Sequence, residues 1–244
     1  MICPVLDATA SFGAPVIARA PLVGVLALQG AFREHRSALE RVGARALEVR
    51  RPEQLSCLDG LVIPGGESST MTRLMRDYRL DEAIRCFSQD GGPVWGTCAG
   101  AIAVASVIEG YPEQPRLGLL DVRVVRNAYG RQRASFEADI DVVGWEQPFR
   151  ALFIRAPSLG AVGSGVRVLA TFAGQPVAIA DGRTLATVFH PELTGDDRWH
   201  RAFVTHCIGV RVARRRAAAT ADATGEPGPE PAAPESEARE ARPA

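Results

Sequence analysis

PLVGVLALQG, residues 21–30, is apolar almost from end to end and closes on glycine, while AFREHRSALERVG, which follows, carries Phe32, Leu39 and Val42 at helical spacing. A short, continuous apolar run reads as a strand buried on both faces. The second pattern reads as an amphipathic helix, with Gly43 suited to its C-terminal cap. The alternation repeats. ARALEVR reads as a strand, and DGLVIPGGESS as a third that ends in a glycine turn. SSTMTRLMRDY and DEAIRCFSQDGG read as helices, the first with Ser68 or Ser69 as N-cap. PVWG reads as a fourth strand, and CAGAIAVASVIEG as a helix of small residues. Strand–helix alternation predicts an α/β fold whose central sheet is mostly parallel.

The second half changes character. LLDVRVVRN, SFEADIDVVG, RALFIRAP, VRVLATFAG, QPVAIADG and RTLATVFHPE are strand-like, several of them separated by turn residues. They predict an antiparallel extension of the same sheet, or a small second sheet packed on it. DDRWHRAFVTHCIGVRVARRR reads as a final helix. Residues 217–244 hold ten Ala, five Pro and five Glu but no Val, Ile, Leu or aromatic residue. Such a segment buries too little apolar surface to offset its ordering entropy. The expected organisation is a poorly ordered extension over 1–20, one domain over 21–213, and a disordered Ala/Pro/Glu-rich tail over 214–244.

Lys plus Arg and Asp plus Glu number 28 each, so no basic footprint points to nucleic acid. No apolar run is long enough to span a bilayer. Pro4, Asp7 and Pro15 interrupt the N-terminal segment, which does not read as a signal peptide. The five cysteines are scattered without a C-x-x-C pair, which argues against a disulfide framework or a zinc site and points to the reducing cytoplasm.

One of those cysteines stands apart. In GGPVWGTCAGAI, Cys98 falls between a strand and a helix, on the plan of a nucleophile elbow. The sharp turn requires small neighbours, here Gly96 and Gly100. The helix N-terminus behind the sulfur favours a thiolate. Cys3, Cys57, Cys86 and Cys207 lack this setting and read as small buried apolar residues.

A thiolate nucleophile needs a proton carrier. Of four histidines, His190 sits at the end of the strand TLATVF, before Pro191 and Glu192. Strand ends are where α/β sheets place functional groups. Glu192 can accept a hydrogen bond from the imidazole and fix its tautomer. His200 and His206, in the final helix, read as packed or solvated, and His35 as packing or interface. An oxyanion hole would draw on the N–H of Ala99 and on the loop Pro64–Gly65–Gly66–Glu67–Ser68, which also reads as a plain glycine turn or anion nest.

GVLALQGAFREH, PGGESST, GTCAGAI, NAYGRQRASFEADI, FIRAP and FHPELT together resemble the glutaminase subunits of pyridoxal 5'-phosphate synthases, a family of class I (triad) glutamine amidotransferases. The similarity runs from about Gly24 to Val210. The resemblance implies a three-layer α/β/α, flavodoxin-like fold that hydrolyses L-glutamine to glutamate and ammonia without metal or organic cofactor. It makes Cys98 the nucleophile, His190 the base and Glu192 the orienting acid. Gly66, Glu67, Ser68, Arg126, Ile154 and Arg155 match glutamine-binding positions, and Gly66 and Ala99 the oxyanion hole. It implies a (β/α)8-barrel synthase subunit as partner in a large hetero-oligomeric complex, one that completes the oxyanion hole and receives the ammonia. Gln29, Gly30 and His35 are expected near that interface. Ala101 stands where related sequences often carry a larger apolar residue. The alternatives are a class I glutaminase serving another pathway, a non-catalytic stabilising subunit, and a cysteine hydrolase or chaperone on a related elbow.

Overall fold

The computed structural model describes residues 19–126, 128 and 135–224. The order of elements is β1 (Leu22–Leu26), α1 (Phe32–Arg41), β2 (Arg45–Val49), β3 (Gly60–Ile63), α2 (Ser68–Asp77), α3 (Leu80–Gln89), β4 (Val94–Thr97) and α4 (Ala99–Val104). There follow β5 (Ala105–Ile108), β6 (Leu120–Val125), β7 (Ser135–Ile140), β8 (Phe149–Ile154), β9 (Ser158–Val162), β10 (Arg167–Phe172), β11 (Gln175–Ala180), β12 (Thr184–Thr187) and α5 (Arg198–Thr224). A 3₁₀ turn, Pro191–Leu193, joins the last two.

The central sheet has seven strands in the order β10-β11-β12-β4-β3-β1-β2. β2, β1, β3, β4 and β12 run parallel, and β11 and β10 extend the sheet antiparallel. Burial explains the division. Every residue of β3, β4 and β12 is buried, as a strand covered on both faces must be. β6 and β8 instead alternate, with one face buried and the other open. The two arrangements considered for the second half both occur. β10 and β11 join the main sheet, while β5-β6-β9 and β7-β8 form small sheets of their own. The architecture is the α/β/α one expected, with a mostly parallel centre.

Helix α1 buries His35, Ala38 and Leu39 on one stripe and stops at Gly43, whose φ of +86° suits the residue after a helix C-cap. Its packing stripe is therefore centred on His35 and Leu39, with Phe32 and Val42 only partly buried. Trp95, Trp199, Phe149, Phe153, Phe189 and Phe203 fill the core as fully buried rings.

Three local expectations change. The helix read over 98–110 ends at Val104, because Ala105–Ile108 pairs with β6, where β-branched Val107 and Ile108 suit an extended chain. The cap of α2 is neither Ser68 nor Ser69. It is Glu67, whose carboxylate accepts from the N–H groups of Ser69 at 3.1 Å and Thr70 at 2.7 Å. Residues from Val212 on form a separate unit, described as far as Thr224 and helical there. The run Ala217–Ala219 favours that conformation, so helix reaches past 214, where the sequence places the start of a disordered tail. All but the last two residues of the extension, the end of the tail and most of the NAYGRQ block lie outside the described residues.

Candidate active site

Three strand ends converge at one edge of the central sheet. β4 leads into Cys98, which has φ +48° and ψ −103°, an unusual conformation for a residue with a side chain. Such a backbone costs about 1–3 kcal/mol and persists only where its surroundings fix it. Here the Cys98 N–H donates to the Thr187 carbonyl at 2.8 Å, and the Cys98 carbonyl accepts from the N–H groups of Ala101 and Ile102. The turn also demands a bare backbone behind it, since a Cβ on Gly100 would strike the Ile63 carbonyl. The sulfur is largely buried and lies 3.6 Å from the carbonyl oxygen of Ile154, the last residue of β8.

β12 leads into His190. Its backbone N–H donates to the Leu152 carbonyl at 2.8 Å, which fastens the loop to β8. The 3₁₀ turn after it folds Glu192 back so that Oε1 lies 2.7 Å from His190 Nδ1. Burial works against charge on His190, but the Cys98 side chain and Glu192 outweigh it and push its pKa up to about 10. Burial also works against ionisation of Glu192. The imidazoles of His35 and His190 more than offset it and hold that carboxyl below the usual carboxylate range.

β3 leads into the loop at 64–67. A Cβ on Gly65 would run into His190 Cε1, 3.0 Å from its Nδ1 and 3.3 Å from the Cys98 Cβ. Gly65 is therefore the wall against which the sulfur and imidazole are set. The loop is gripped from behind: the Gln29 amide donates to the Glu67 carbonyl and accepts from the Glu67 N–H, both at 3.1 Å. A Cβ on Gly66 would lie 2.6 Å from that amide.

Arg126 donates to Ser69 Oγ at 2.9 Å and to Gln114 Oε1 at 2.8 Å, and pairs with Glu67 at 3.3 Å. Its guanidinium lies over the Tyr111 ring. Partial burial opposes ionisation of Glu67, but the N–H groups of Thr70 and Ser69, with Arg126, hold its carboxyl below the ordinary value. A cleft of about 400 Å³ lined by Ser69, Arg73, Tyr111, Gln114 and Arg126 opens beside this cluster.

The structure thus brings Cys98, His190, Glu192, Ile154 and the Gly66 loop to one edge, with Glu67 and Arg126 joined beside it. Ser68 and Ala99 are buried at the first turns of α2 and α4. Arg155 is exposed, with φ +45°.

His35 is not at a surface. It is fully buried, with Nε2 3.0 Å from Thr97 Oγ1 and 3.2 Å from Glu192 Oε2. Of the two readings, packing or interface, burial bears out packing. His200, read as packed or solvated, is fully buried against it. Cys57 and Cys86 are exposed rather than buried, whereas Cys207 lies in the core.

Residues 25–209 match the SNO glutamine amidotransferase family. The pyridoxal 5'-phosphate synthase subunit PdxT of Pelotomaculum thermopropionicum is 55% identical over 187 residues, covering 76% of this chain and 95% of its own length. The protein of the same name from Deinococcus radiodurans is 53% identical over 186 residues, covering 75% and 95%. A crystal structure of a glutamine amidotransferase superposes with TM-score 0.73 at 51% identity, covering 76% of this chain and 98% of that one. A chain of PurLQS from Thermotoga maritima, 16% identical, shares the fold at TM-score 0.58, covering 80% and 100%.

Proposed function

The chain belongs to the SNO glutamine amidotransferase family, and we propose that it hydrolyses glutamine through Cys98, His190 and Glu192 and delivers the ammonia to a pyridoxal 5'-phosphate synthase. The supporting observation is a strained cysteine at the end of a parallel strand, beside an imidazole that is itself 2.7 Å from a buried carboxylate. Its relatives are named as subunits of pyridoxal 5'-phosphate synthase, and the family it matches is one of glutamine amidotransferases; glutamine hydrolysis in the service of that synthase is the work both names point to. Identity above 50% over nearly their whole length carries that work to this chain.

The chemistry follows from the groups present. His190 holds a proton near neutral pH, and its imidazolium faces the Cys98 side chain. The thiolate attacks the side-chain amide carbon of glutamine. N–H groups of Ala99 and the Gly66 loop receive the charge that develops on the amide oxygen. As the C–N bond breaks, His190 gives its proton to the leaving nitrogen, and ammonia departs from a γ-glutamyl thioester on Cys98. Neutral His190 then takes a proton from water, the resulting hydroxide attacks the thioester, and glutamate leaves with the thiolate restored. Glu192 keeps the Nδ1–H of His190 in place throughout. Arg126, Glu67 and Arg155 are the charged groups available to the α-carboxylate and α-ammonium of the substrate.

Ammonia in neutral water is mostly protonated and loses its nucleophilicity, so a partner must take it directly. We assign that role to a (β/α)8-barrel synthase subunit in a hetero-oligomeric complex, whose docking completes the oxyanion hole. The test is glutamate release with and without that subunit. Strong stimulation by the subunit, abolished by Cys98→Ala, is expected. Full activity of the Cys98→Ala protein would refute the triad.

A further inference from the structure

Two buried imidazoles behind the triad have no part in the mechanism above. His35 comes from α1 and His200 from α5, 165 residues apart, and both are fully buried. His35 Nδ1 and His200 Nε2 are 2.9 Å apart. The other nitrogen of His35 lies between Thr97 Oγ1 at 3.0 Å and Glu192 Oε2 at 3.2 Å. Glu192 therefore has an imidazole at each oxygen, His190 at Oε1 and His35 at Oε2.

The positions of the protons follow from what each arrangement would leave unpaired. Burial holds both rings below the ordinary imidazole pKa, His200 at about 3, so both are neutral near pH 7. One proton then lies between them. Placed on His35, it leaves His200 with an N–H on Nδ1, which is buried without a partner among the described residues. It also turns a bare His35 lone pair on the Glu192 carboxylate. Placed on His200 Nε2, it leaves only an unprotonated Nδ1 there and keeps an N–H on His35 Nε2. The second arrangement avoids both a buried orphan donor and a lone pair facing an anion. His35 Nε2–H is then donated to Thr97 Oγ1 at 3.0 Å and also faces Glu192 Oε2 at 3.2 Å. Its approach to Oε2 is not aligned as a hydrogen bond, and Oε2 has no other partner among the described residues.

We infer that His35 is a positioning residue of the glutaminase reaction: its Nε2–H, with the tautomer set by His200, is the donor that holds the second oxygen of Glu192 and keeps the first turned to His190. This rests on the triad reading. The groups facing the network are His190 at Glu192, Glu34 and the Trp95 edge at His35, and Asp197, paired with Arg41 at 2.7 Å, near His200. Asp197 and Arg41 compensate each other, which leaves Glu192 as the charge that His35 meets most directly.

The test is kcat and KM for glutamine against pH, measured in the complex with the synthase subunit. His35→Leu removes the donor. The expected loss in kcat is about 10–100-fold, the range for removing an outer hydrogen-bond partner. KM should stay within about threefold, since His35 is walled off from the substrate. The alkaline limb should move to lower pH, because a poorly held Glu192 supports the His190 imidazolium less well. His35→Gln retains an N–H of similar reach and should recover most of kcat and the limb. Equal losses in both variants with an unmoved limb would show a role in packing only and overturn the inference. Should His35→Leu fail to fold, His200→Phe frees the His35 tautomer and should shift the limb in the same direction by less; an unmoved limb there also overturns it. Cys98→Ala run alongside separates the two ideas. An inactive Cys98→Ala with an unaffected His35→Leu rejects the inference alone, whereas an active Cys98→Ala rejects the triad and the inference together.

Discussion

Gly65→Ala adds one methyl group at the point where the sulfur and imidazole meet. The new Cβ would overlap His190 Cε1 and sit 3.0 Å from Nδ1 and 3.3 Å from the Cys98 Cβ. Carbon atoms settle at about 3.5–4.0 Å, so the ring must retreat by on the order of 1 Å. The cysteine cannot yield in its place, because its backbone is held at both ends by hydrogen bonds. Retreat of the ring disturbs the 2.7 Å bond to Glu192 and the approach to the sulfur together. A displacement of about 1 Å at a reacting group costs roughly 100-fold in rate, equivalent to about 2.7 kcal/mol. Stability should suffer less. Gly65 is not in a left-handed conformation, so the penalty is overpacking alone, about 1–3 kcal/mol, or on the order of 2–10 °C in Tm for a chain of this size. The assay is kcat at saturating glutamine with the synthase subunit, alongside thermal melting. A folded Gly65→Ala protein with kcat near wild type would refute the claim that this glycine sets the distance between Cys98 and His190.

Two further outcomes follow. His190 has its pKa raised by the Cys98 side chain and Glu192 against its burial, from 6.5 to about 10; the stabilisation it confers is complete below about pH 6.5 and fades as pH rises through about 10. Melting temperatures measured from pH 6 to 10.5 should fall more steeply for wild type than for Cys98→Ala, and parallel curves would exclude the Cys98 side chain as a cause of the raised His190 pKa. Arg126→Ala should raise KM for glutamine more than it lowers kcat, since Arg126 belongs to the cluster of Glu67 and Ser69 rather than to the sulfur. A fall in kcat at constant KM would remove it from the substrate site.

The elbow was legible because its chemistry is local. A strand, two glycines and a cysteine before a helix leave few alternatives, and Cys98 has the strained backbone that this pattern requires. His190 was legible for a similar reason, as a strand end stiffened by proline with a carboxylate two residues on. The helix read across 98–110 failed because small residues do not distinguish a helix from the strand that follows it. Ala105–Ile108 is extended because β6 offers it a partner, and that partner lies 15 residues away in sequence. Strand β9 went unread because SLGAV carries no apolar alternation. The cap of α2 was misplaced by one or two residues, since a glutamate that bonds two N–H groups competes with the serines that usually fill that position.

His35 marks where reading a sequence alone stops. Its spacing from Leu39 places it on the inward face of α1, which was visible, but an inward histidine is ordinarily a packing residue. Its significance comes from what the fold sets around it: a hydroxyl from β4, an imidazole from α5 and a carboxylate from the turn after β12. Only the turn and α5 are neighbours in the chain; α1 and β4 come from its first half. A buried carboxylate with a partner at only one oxygen would be costly, and a chain that places Glu192 in the core must supply the other oxygen from somewhere. Finding an unexplained inward histidine, given a buried triad acid, is the one signal that could have identified it. The same reasoning applies to Gln29, which follows β1 and whose amide holds the Glu67 backbone from the far side of the loop. Both residues lie in LQGAFREH, so that block serves to hold the parts of the site that Cys98 and His190 meet, and its apolar and glycine positions bring it there.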